Sequence, residues 1–489
     1  MSLTDVLRHH AERFGDRTAL VDGDATQSWS QLLTDVQLTA GALREQGVGR
    51  GDVVAVLLYN SARFLELMHA ISHLGAVFMP LNWRLAPAEL EYIVDHSAAV
   101  LLVTEPQLSE RAASGRCRVV LIDGLRGATP IVAAAPTAAD DIHRLMYTSG
   151  TTSRPKGVMI SYGNVWAKNA AHIVEFEMTS ACVNLACGPL YHVGALDLTT
   201  TTLMYLGATT HVLRRFAAAA VLEAIERERI TDVWLAPAMI AALVAHPDAA
   251  RRDLSSLRLI IDGGEKMPLP LIERVLATFP NAWFADGYGM TETVSGDTML
   301  DKGRTLSKLG SVGKPVLHTE IRTVRPDGSD CDPGEPGEVI IRGPKVCQGY
   351  WRDERATAET IRDGWLHSGD LGVLDEDGYL FIVDRLKDVI VSGGENIASS
   401  EVERVLYEHP AIAEVAVVAR ADERWNEVPV AFYVTAPGET VDDGQLERHC
   451  RASLAGYKVP KEFVAIDQLP RNPSGKVLKR ELRERLAGG

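Results

Sequence analysis

The stretch Tyr147-Thr148-Ser149-Gly150-Thr151-Thr152-Ser153-Arg154-Pro155-Lys156-Gly157 packs hydroxyls, glycines and a lysine into one short segment. A polyphosphate needs those groups. Glycines let the backbone approach an anion, successive N–H groups form an anion-binding nest, and a lysine adds a point charge. The apolar Leu145-Met146 before it reads as the end of a strand, so the run is expected to be a loop at a strand exit. It is not a Walker A loop, which needs Gly-Lys-Ser/Thr opening a helix. Here Pro155 precedes the lysine and Gly157-Val158 follows it. Taken alone, the run has a plainer reading as a mobile surface turn.

The surrounding chain suits such a site. With 489 residues it exceeds one compact core, and two to four domains or subdomains are expected. An apolar fraction of 46% and a charged fraction of 24% are ordinary for a soluble enzyme. The net charge of −15 argues against nucleic acid or a membrane surface as partner, while leaving room for an anionic substrate in a locally basic cleft. Cys117, Cys182, Cys187, Cys331, Cys347 and Cys450 form no C-x-x-C pair, so they read as buried thiols in a reducing cytosol. The N-terminus reads as a short amphipathic helix with Thr4 or Asp5 near its cap, not a signal sequence. No apolar run is long enough to span a bilayer. A soluble, cytoplasmic protein without a stable membrane anchor is expected.

Along the chain, apolar strands alternate with helical spacing. Strands are expected at 53–58, 100–103, 119–122, 233–235 and 257–261, and helices at 62–74, 217–228 and 269–278. This pattern predicts a layered α/β architecture, with sheets covered by helices. After residue 320 the texture changes. Alternating runs at 320–324, 337–342 and 379–383, separated by Asp-Gly and Pro-Gly turns, predict a β-rich subdomain. Beyond Asp384 a small α+β unit is expected, with helices over 400–408 and 443–454 and strands over 415–418, 428–435 and 462–466. The expected division is 1–384 for an N-terminal domain with its β-rich part at about 320–384, then 385–387, then 388–489.

Four further segments carry chemistry. Gly287-Tyr288-Gly289-Met290-Thr291-Glu292-Thr293 places an aromatic ring between glycines, followed by a hydroxyl and a carboxylate. It suits a loop presenting Tyr288 for stacking, Thr291 as a phosphate donor and Glu292 as a Mg²⁺ ligand. Ser368-Gly369-Asp370 puts a carboxylate at an expected turn, where it can accept charge-assisted hydrogen bonds from two ribose hydroxyls. Asp384-Arg385-Leu386-Lys387-Asp388 followed by Ser392-Gly393-Gly394-Glu395-Asn396 sits where the texture changes and reads as a linker. Pro470-Arg471-Asn472-Pro473-Ser474-Gly475-Lys476 is a framed turn ending in a lysine. Each alone also reads as a tight turn, a turn former, a solvated charge run or a surface lysine.

Together and in this order, the five segments resemble the adenylate-forming superfamily of acyl-CoA synthetases, peptide adenylation domains and luciferases. The resemblance covers essentially the whole chain. Gly188-Pro189-Leu190-Tyr191-His192-Val193-Gly194 and Ser392-Gly393-Gly394-Glu395-Asn396 are most similar to bacterial fatty-acyl-CoA and hydroxycinnamoyl-CoA ligases. The resemblance implies ATP, Mg²⁺ and CoA as partners of a small carboxylic acid. The acid is first joined to AMP with loss of pyrophosphate, then passed to the CoA thiol. It implies that Thr148, Ser149, Gly150, Thr151, Thr152 and Lys156 hold the β/γ-phosphates, that Thr291 meets the α-phosphate, and that Glu292 with Thr151 ligates Mg²⁺. Tyr288 would stack on adenine, flanked by Gly287 and Gly289, with Gly263, Gly264 and Glu265 on the other side and Asp286 close by. Asp370, helped by Arg385, would grip the ribose. Lys476 would bridge the acid carboxylate and the α-phosphate. Lys387 would be the hinge of a mobile C-terminal domain, whose turning brings the Gly393-Gly394 loop in to form a pantetheine tunnel. His192 matches an aromatic gate, and Val193, Gly194, Ala195 and Trp234 are candidate acyl-pocket walls. No arginine in that motif pairs a second carboxylate, which favours an apolar or aromatic acid over a dicarboxylate.

Three departures stand against the family pattern. Asp262-Gly263-Gly264-Glu265-Lys266 replaces the usual Ser/Cys-Gly-Gly-Ala-Pro, Asp286 replaces Gln or Asn, and Asn426 replaces a glycine in Trp-Gly-Glu. Asn tolerates the left-handed conformation such a turn needs. A carrier-protein thiol or an amine remains the alternative acceptor, a nucleotide-binding regulator without catalysis is a further reading, and a homodimer stays open.

Overall fold

The computed structural model describes residues 3–112, 117–126, 129–148, 155–263, 267, 269–392, 395–422, 424–471 and 476–487, with the backbone alone at 4, 387, 396 and 487. The chain divides into two compact units, Met1–Ile321 with Ile341–Leu366, and Arg322–Ile340 with His367–Gly489.

The first unit holds two large sheets. In the six-stranded sheet, Arg118–Leu121, Leu101–Thr104, Val53–Leu57, Val77–Pro80 and Ile142–Thr148 run parallel in that spatial order, and Lys156–Ser161 closes the edge antiparallel. The strand Val53–Leu57 shows why it sits mid-sheet. All five side chains are buried. Val54 and Val56 enter one core, while Val53, Ala55 and Leu57 enter the core on the opposite face. A strand covered on both faces reads as a continuous β-branched run, as here.

The nine-stranded sheet has a parallel middle: Trp283–Tyr288, Leu259–Gly263, Asp232–Trp234, Val183–Ala186, Thr209–Val212 and Thr18–Asp22. Its outer strands pair antiparallel: Ala25–Ser28 at one edge, and Thr298–Met299 followed by Lys314–Pro315 at the other. Helices Trp29–Glu45 and Ala62–His73 share one apolar cluster with strands of both sheets. Ser28 starts the first of these with a capping box. Its hydroxyl accepts from Gln31 N, and Gln31 Oε1 accepts from Ser28 N at 2.8 Å. Helices Ala218–Glu228, Pro237–Ala245 and Leu269–Thr278 cover the far face of the nine-stranded sheet.

In the second unit, residues 337–340 and 367–374, parts of strands Gly337–Arg342 and Trp365–Leu374, belong with Leu380–Arg385 to a small sheet. The rest is an α+β unit. Ile412–Asp422 and Asn426–Thr435 form a long antiparallel pair, and Glu462–Ala465 joins it in parallel. Alternate residues of the pair face two cores. Val415, Val417, Ala431 and Tyr433 meet helices Ser399–Tyr407 and Asp443–Ser453, while Ala416, Val418, Val430 and Phe432 meet Leu482 of helix Lys479–Ala487.

The layered α/β expectation and the small α+β unit are both observed. Some details differ. The first helix spans Leu3–Phe14, so Asp5 lies in its first turn rather than at the cap. Cys117 and Cys331 are half-buried rather than buried, and all six thiols are free. No helix among the described residues is long and apolar enough to cross a membrane.

Candidate active site

In parallel α/β sheets, ligands meet the chain beyond the carboxyl ends of the strands. Four sequence-selected segments of the first unit leave strands at that end. Gly188–Gly194 follows Val183–Ala186, Trp234 ends its strand, Gly263 ends the next, and Gly287-Tyr288 end the one after that. Gly263 and Gly287 are register partners. A Cβ on Gly263 would stand 2.6 Å from the Gly287 carbonyl oxygen, so a side chain there would push the strand ends apart. Asp262 and Asp286 are also register partners, and both are buried. The segment after Tyr288 folds back on itself through Asp297 N to Tyr288 O at 2.7 Å and Ser295 N to Met290 O at 2.9 Å. Thr291–Thr293 makes a single 3₁₀ turn inside it, leaving Tyr288, Thr291 and Glu292 half-buried.

A buried cation fastens this loop from beneath. Lys345 Nζ donates to the carbonyls of Ser295 (3.0 Å) and Gly296 (2.6 Å) and pairs with Asp297 at 2.8 Å. Burial pushes the Asp297 carboxyl up, against the pull of the Lys345 ammonium. A second buried hub lies in the same unit. Lys168 Nζ donates to Asp197 O, Thr201 Oγ1 and Thr202 Oγ1, each at 2.9 Å, and Arg144 pairs with Asp197 at 2.7 Å. Burial lowers the Lys168 ammonium to about 7. Asp197 lies on the π-helical stretch Gly194–Thr200, so this hub anchors the helix that starts at the His192 loop. Sequence reasoning missed Lys168, Lys345 and their partners. Nothing in the sequence around either lysine shows which distant residues it meets.

The lysine-bearing run is a hairpin. Ile142–Thr148 and Lys156–Ser161 are antiparallel neighbours, with Thr148 opposite Lys156. Lys156 is therefore a strand residue rather than a loop residue, and the run connects strand to strand. Gln348 N donates to Met159 O, Trp351 N to Gly157 O and Cys347 N to Glu292 O, laying residues 347–351 between the hairpin and the Glu292 turn. The result is Tyr350, which sequence reading did not select. Its hydroxyl donates to Glu292 Oε1 at 2.9 Å, and Lys156 Nζ lies 5.0 Å from its ring centre. Burial and the Glu292 charge hold the Tyr350 phenol well above its usual range. Thus Thr148, Lys156, Glu292 and Tyr350 come together. Ser149, Gly150, Thr151 and Thr152 lie outside the described residues, as do Gly264 and Glu265.

Carboxylate and threonine oxygens beside an ammonium form a donor set that fits a magnesium-bound polyphosphate. Among the described residues no three His, Cys, Asp or Glu side chains cluster as a metal cage. Such a cation would then share its shell with phosphate oxygens, the usual habit of Mg²⁺.

The acyl-side candidates meet around one indole. A Cβ on Gly188 would stand 2.6 Å from Trp234 Cζ3, and one on Gly194 would stand 2.7 Å from Trp234 Cζ2. Both glycines therefore touch the Trp234 ring, and Ala195 lies against Gly188. Val193 packs elsewhere, against the cluster of Met146, Val158, Ile160 and Tyr162. Asn60 ties the loop down: Nδ2 donates to Gly188 O at 2.7 Å, and Oδ1 accepts from Leu190 N at 3.1 Å. The His192 ring lies tilted against Tyr191, with the ring centres 4.6 Å apart. Its Nε2 is buried with no hydrogen-bond partner among the described residues, and burial lowers its pKa to about 4. His192 is thus a neutral ring at neutral pH.

In the second unit, Asp370 lies within strand Trp365–Leu374, not at a turn, and its register partner is Arg385. Gly369 does take a left-handed φ of 69°, as a turn would, but pairing with Leu380–Arg385 keeps the segment in the sheet. Arg385 Nε meets Asp370 Oδ1 at 2.9 Å, so the pair selected for the ribose is assembled. Asp384 and Arg385 likewise end a strand rather than forming a linker. Asp384 Oδ2 accepts from Ser399 N at 2.6 Å and Ser399 Oγ at 2.7 Å, fixing the start of helix Ser399–Tyr407. Lys387 lies in the short turn Leu386–Asp388, and its side chain is outside the described residues, as are Gly393 and Gly394. Lys476 is exposed, next to the bridge that joins Arg471 to Val477. Asn426 has φ +70°, the left-handed conformation expected of a glycine substitute.

Sequence comparison matches residues 7–351 to the AMP-binding enzyme family and residues 401–476 to the AMP-binding enzyme C-terminal domain. The chain belongs to the AMP-binding enzyme family. A feruloyl-CoA synthase from an Amycolatopsis species is 41% identical over 471 residues, covering 96% of each chain. The o-succinylbenzoate CoA synthetase of Bacillus subtilis, solved with its acyl-adenylate intermediate, superposes with a TM-score of 0.91 at 35% identity, over 98% of this chain and 97% of that one. The same enzyme solved with ATP and a magnesium ion gives 0.90 at 34% identity, over 99% of both chains. The adenylate-forming resemblance of the five segments and the α/β fold are therefore both borne out.

Proposed function

We infer that this AMP-binding enzyme is an ATP-dependent acid–CoA ligase acting on an aromatic monocarboxylic acid. The observation that carries the reading is the convergence of Lys156, Glu292 and Tyr350 beside the Thr148 hairpin, in the same unit as the loop whose Gly188 and Gly194 pack on the Trp234 indole. One end suits a polyphosphate and the other a flat apolar acid. A relative named for feruloyl transfer supports an aryl acid over a fatty one.

The chemical difficulty is that a carboxylate must attack a phosphate. Lys156 and the Thr148 hairpin draw charge from the β/γ-phosphates, and Thr291 donates to the α-phosphate. A magnesium ion held by Glu292 would neutralise phosphate charge and orient the leaving pyrophosphate. Tyr350 fixes the Glu292 carboxylate. Tyr288 stacks on adenine over the Gly263 strand end, and the Asp370–Arg385 pair holds the ribose. Lys476 bridges the acid carboxylate and the α-phosphate, so that the carboxylate oxygen forms a bond to phosphorus as the bond to pyrophosphate breaks. The CoA thiolate then attacks the acyl carbonyl and AMP departs. Neutral His192 acts as a ring that covers the carbonyl, not as a cation.

The division 1–384 and 388–489 with a hinge at Lys387 is proposed as the device that separates the two steps, with Gly393-Gly394 serving the pantetheine arm. The deciding experiment is acid-dependent AMP release from ATP across aliphatic and aromatic acids, with and without CoA, with products weighed by mass spectrometry. An aryl thioester is expected. AMP or acyl-AMP without thioester would overturn the CoA acceptor, and thioester from aliphatic acids alone would overturn the acid class.

A further inference from the structure

Three arginines outside the site just described gather on two aromatic rings. Arg215 lies 4.1 Å from the ring centre of Tyr59 and 5.1 Å from that of Trp83. Arg214 lies 4.8 Å from Tyr59, and Arg84 lies 4.9 Å from Trp83. Tyr59 and Trp83 meet edge to face at 4.8 Å, making one platform. The three guanidiniums are exposed. Glu105 takes Arg214 at 2.8 Å and also accepts from Tyr59 N at 3.1 Å. Among the described residues no carboxylate pairs with Arg215. On a chain of net charge −15, this is a local gathering of guanidiniums around two crossed rings. Its parts come from the carboxyl ends of strands Val53–Leu57, Val77–Pro80 and Thr209–Val212, the end where ligands meet such sheets.

The platform continues into the acyl site. Trp83 meets Tyr191 at 6.3 Å, and Tyr191 meets His192 at 4.6 Å. Asn60, next to Tyr59, holds the Gly188 loop. Guanidinium forks bind phosphate in a bidentate manner and stack on planar rings. The fitting ligand is therefore a phosphorylated nucleotide whose other end reaches the acyl carbonyl. ATP is already served by the Lys156 hairpin.

We propose that Arg84 and Arg215 hold the 3′-phosphate of CoA at the Tyr59–Trp83 platform, an assignment that rests on the CoA-ligase reading. The test uses the full chain, saturating acid and ATP, and two acceptors: CoA and 3′-dephospho-CoA. The double variant Arg84→Ala/Arg215→Ala is expected to raise KM for CoA about ten- to hundredfold, the size of a lost charged hydrogen bond. Its kcat, its acid-dependent ATP–pyrophosphate exchange and its KM for 3′-dephospho-CoA should stay within about twofold of the parent enzyme, a margin well under the effect of a lost charged contact. Arg84→Lys/Arg215→Lys should recover part of the loss. An unchanged KM for CoA, or equal losses with both acceptors, overturns the assignment. Absence of thioester from the unaltered enzyme would instead remove the CoA reading itself.

Discussion

The contact between two glycines and one indole allows a sharp test of the acyl pocket. In Gly188→Ala the new methyl would stand 2.6 Å from Trp234 Cζ3, while ordinary contact begins near 3.4 Å. The indole must therefore shift by about 0.8 Å, or the loop must lift from Asn60. Overpacking of this kind costs about 1–3 kcal/mol. If Trp234 is the wall against which the acid packs, the cost falls on acid binding. It then reads as a loss of about five- to 150-fold in kcat/KM for the acid. ATP affinity should not change, because Lys156, Glu292 and Tyr350 sit on other segments of the chain. Gly194→Ala should behave alike, with its methyl 2.7 Å from the same ring. In a Trp234→Ala background the glycine substitutions should add little further loss, because the ring they strike is gone, although Trp234→Ala itself weakens acid binding by removing the wall. The assay is acid-dependent pyrophosphate release at varied acid, with ATP binding by calorimetry as control. Unchanged acid kinetics in both glycine variants, with Trp234→Ala also silent, would refute the placement of the pocket.

Lys476→Ala should cut acyl-AMP formation by about 100-fold or more, as loss of an electrostatic contact in the transition state does, yet spare thioester formation from supplied acyl-AMP. Equal loss in both half-reactions would sink that role. Lys387→Pro, by restricting the hinge backbone, should leave pyrophosphate release intact and block thioester formation; full ligase turnover would refute it. Tyr350→Phe removes the hydroxyl on Glu292 but keeps the ring under Lys156, so calorimetry should show MgATP binding weakened about tenfold, and unchanged affinity would count against Glu292 as the metal ligand. Burial lowers His69 and His192 to about 4 and holds His143 and His172 well below the usual imidazole value. The unfolded chain therefore takes up protons first as pH falls below about 6.5, and stability should drop by about 1.4 kcal/mol per pH unit for each ring, down to its folded value. Denaturant midpoints measured from pH 7 to 5 should fall steeply, and a flat profile would show that the rings are not buried neutral.

The sequence by itself determined the reaction class and the fold class of this protein. A phosphate-binding run such as 147–157 needs a particular set of residue types in a short span, and such local chemistry survives in one dimension. So does the period of a doubly buried strand such as Val53–Leu57. Turns were less legible. Ser368-Gly369-Asp370 has turn composition and a left-handed glycine, yet cross-strand pairing with Arg385 holds it in a sheet. The tertiary structure alone decided which distant residues meet. Tyr350 reaches Glu292 across 58 positions, Lys345 reaches Asp297 across 48, and Arg215 shares a ring platform with Tyr59 and Trp83. The physical reason is that a lone lysine or tyrosine has no local signature of its partner. The low-dielectric interior that makes a Lys345–Asp297 pair matter exists only once the sheets have closed over it.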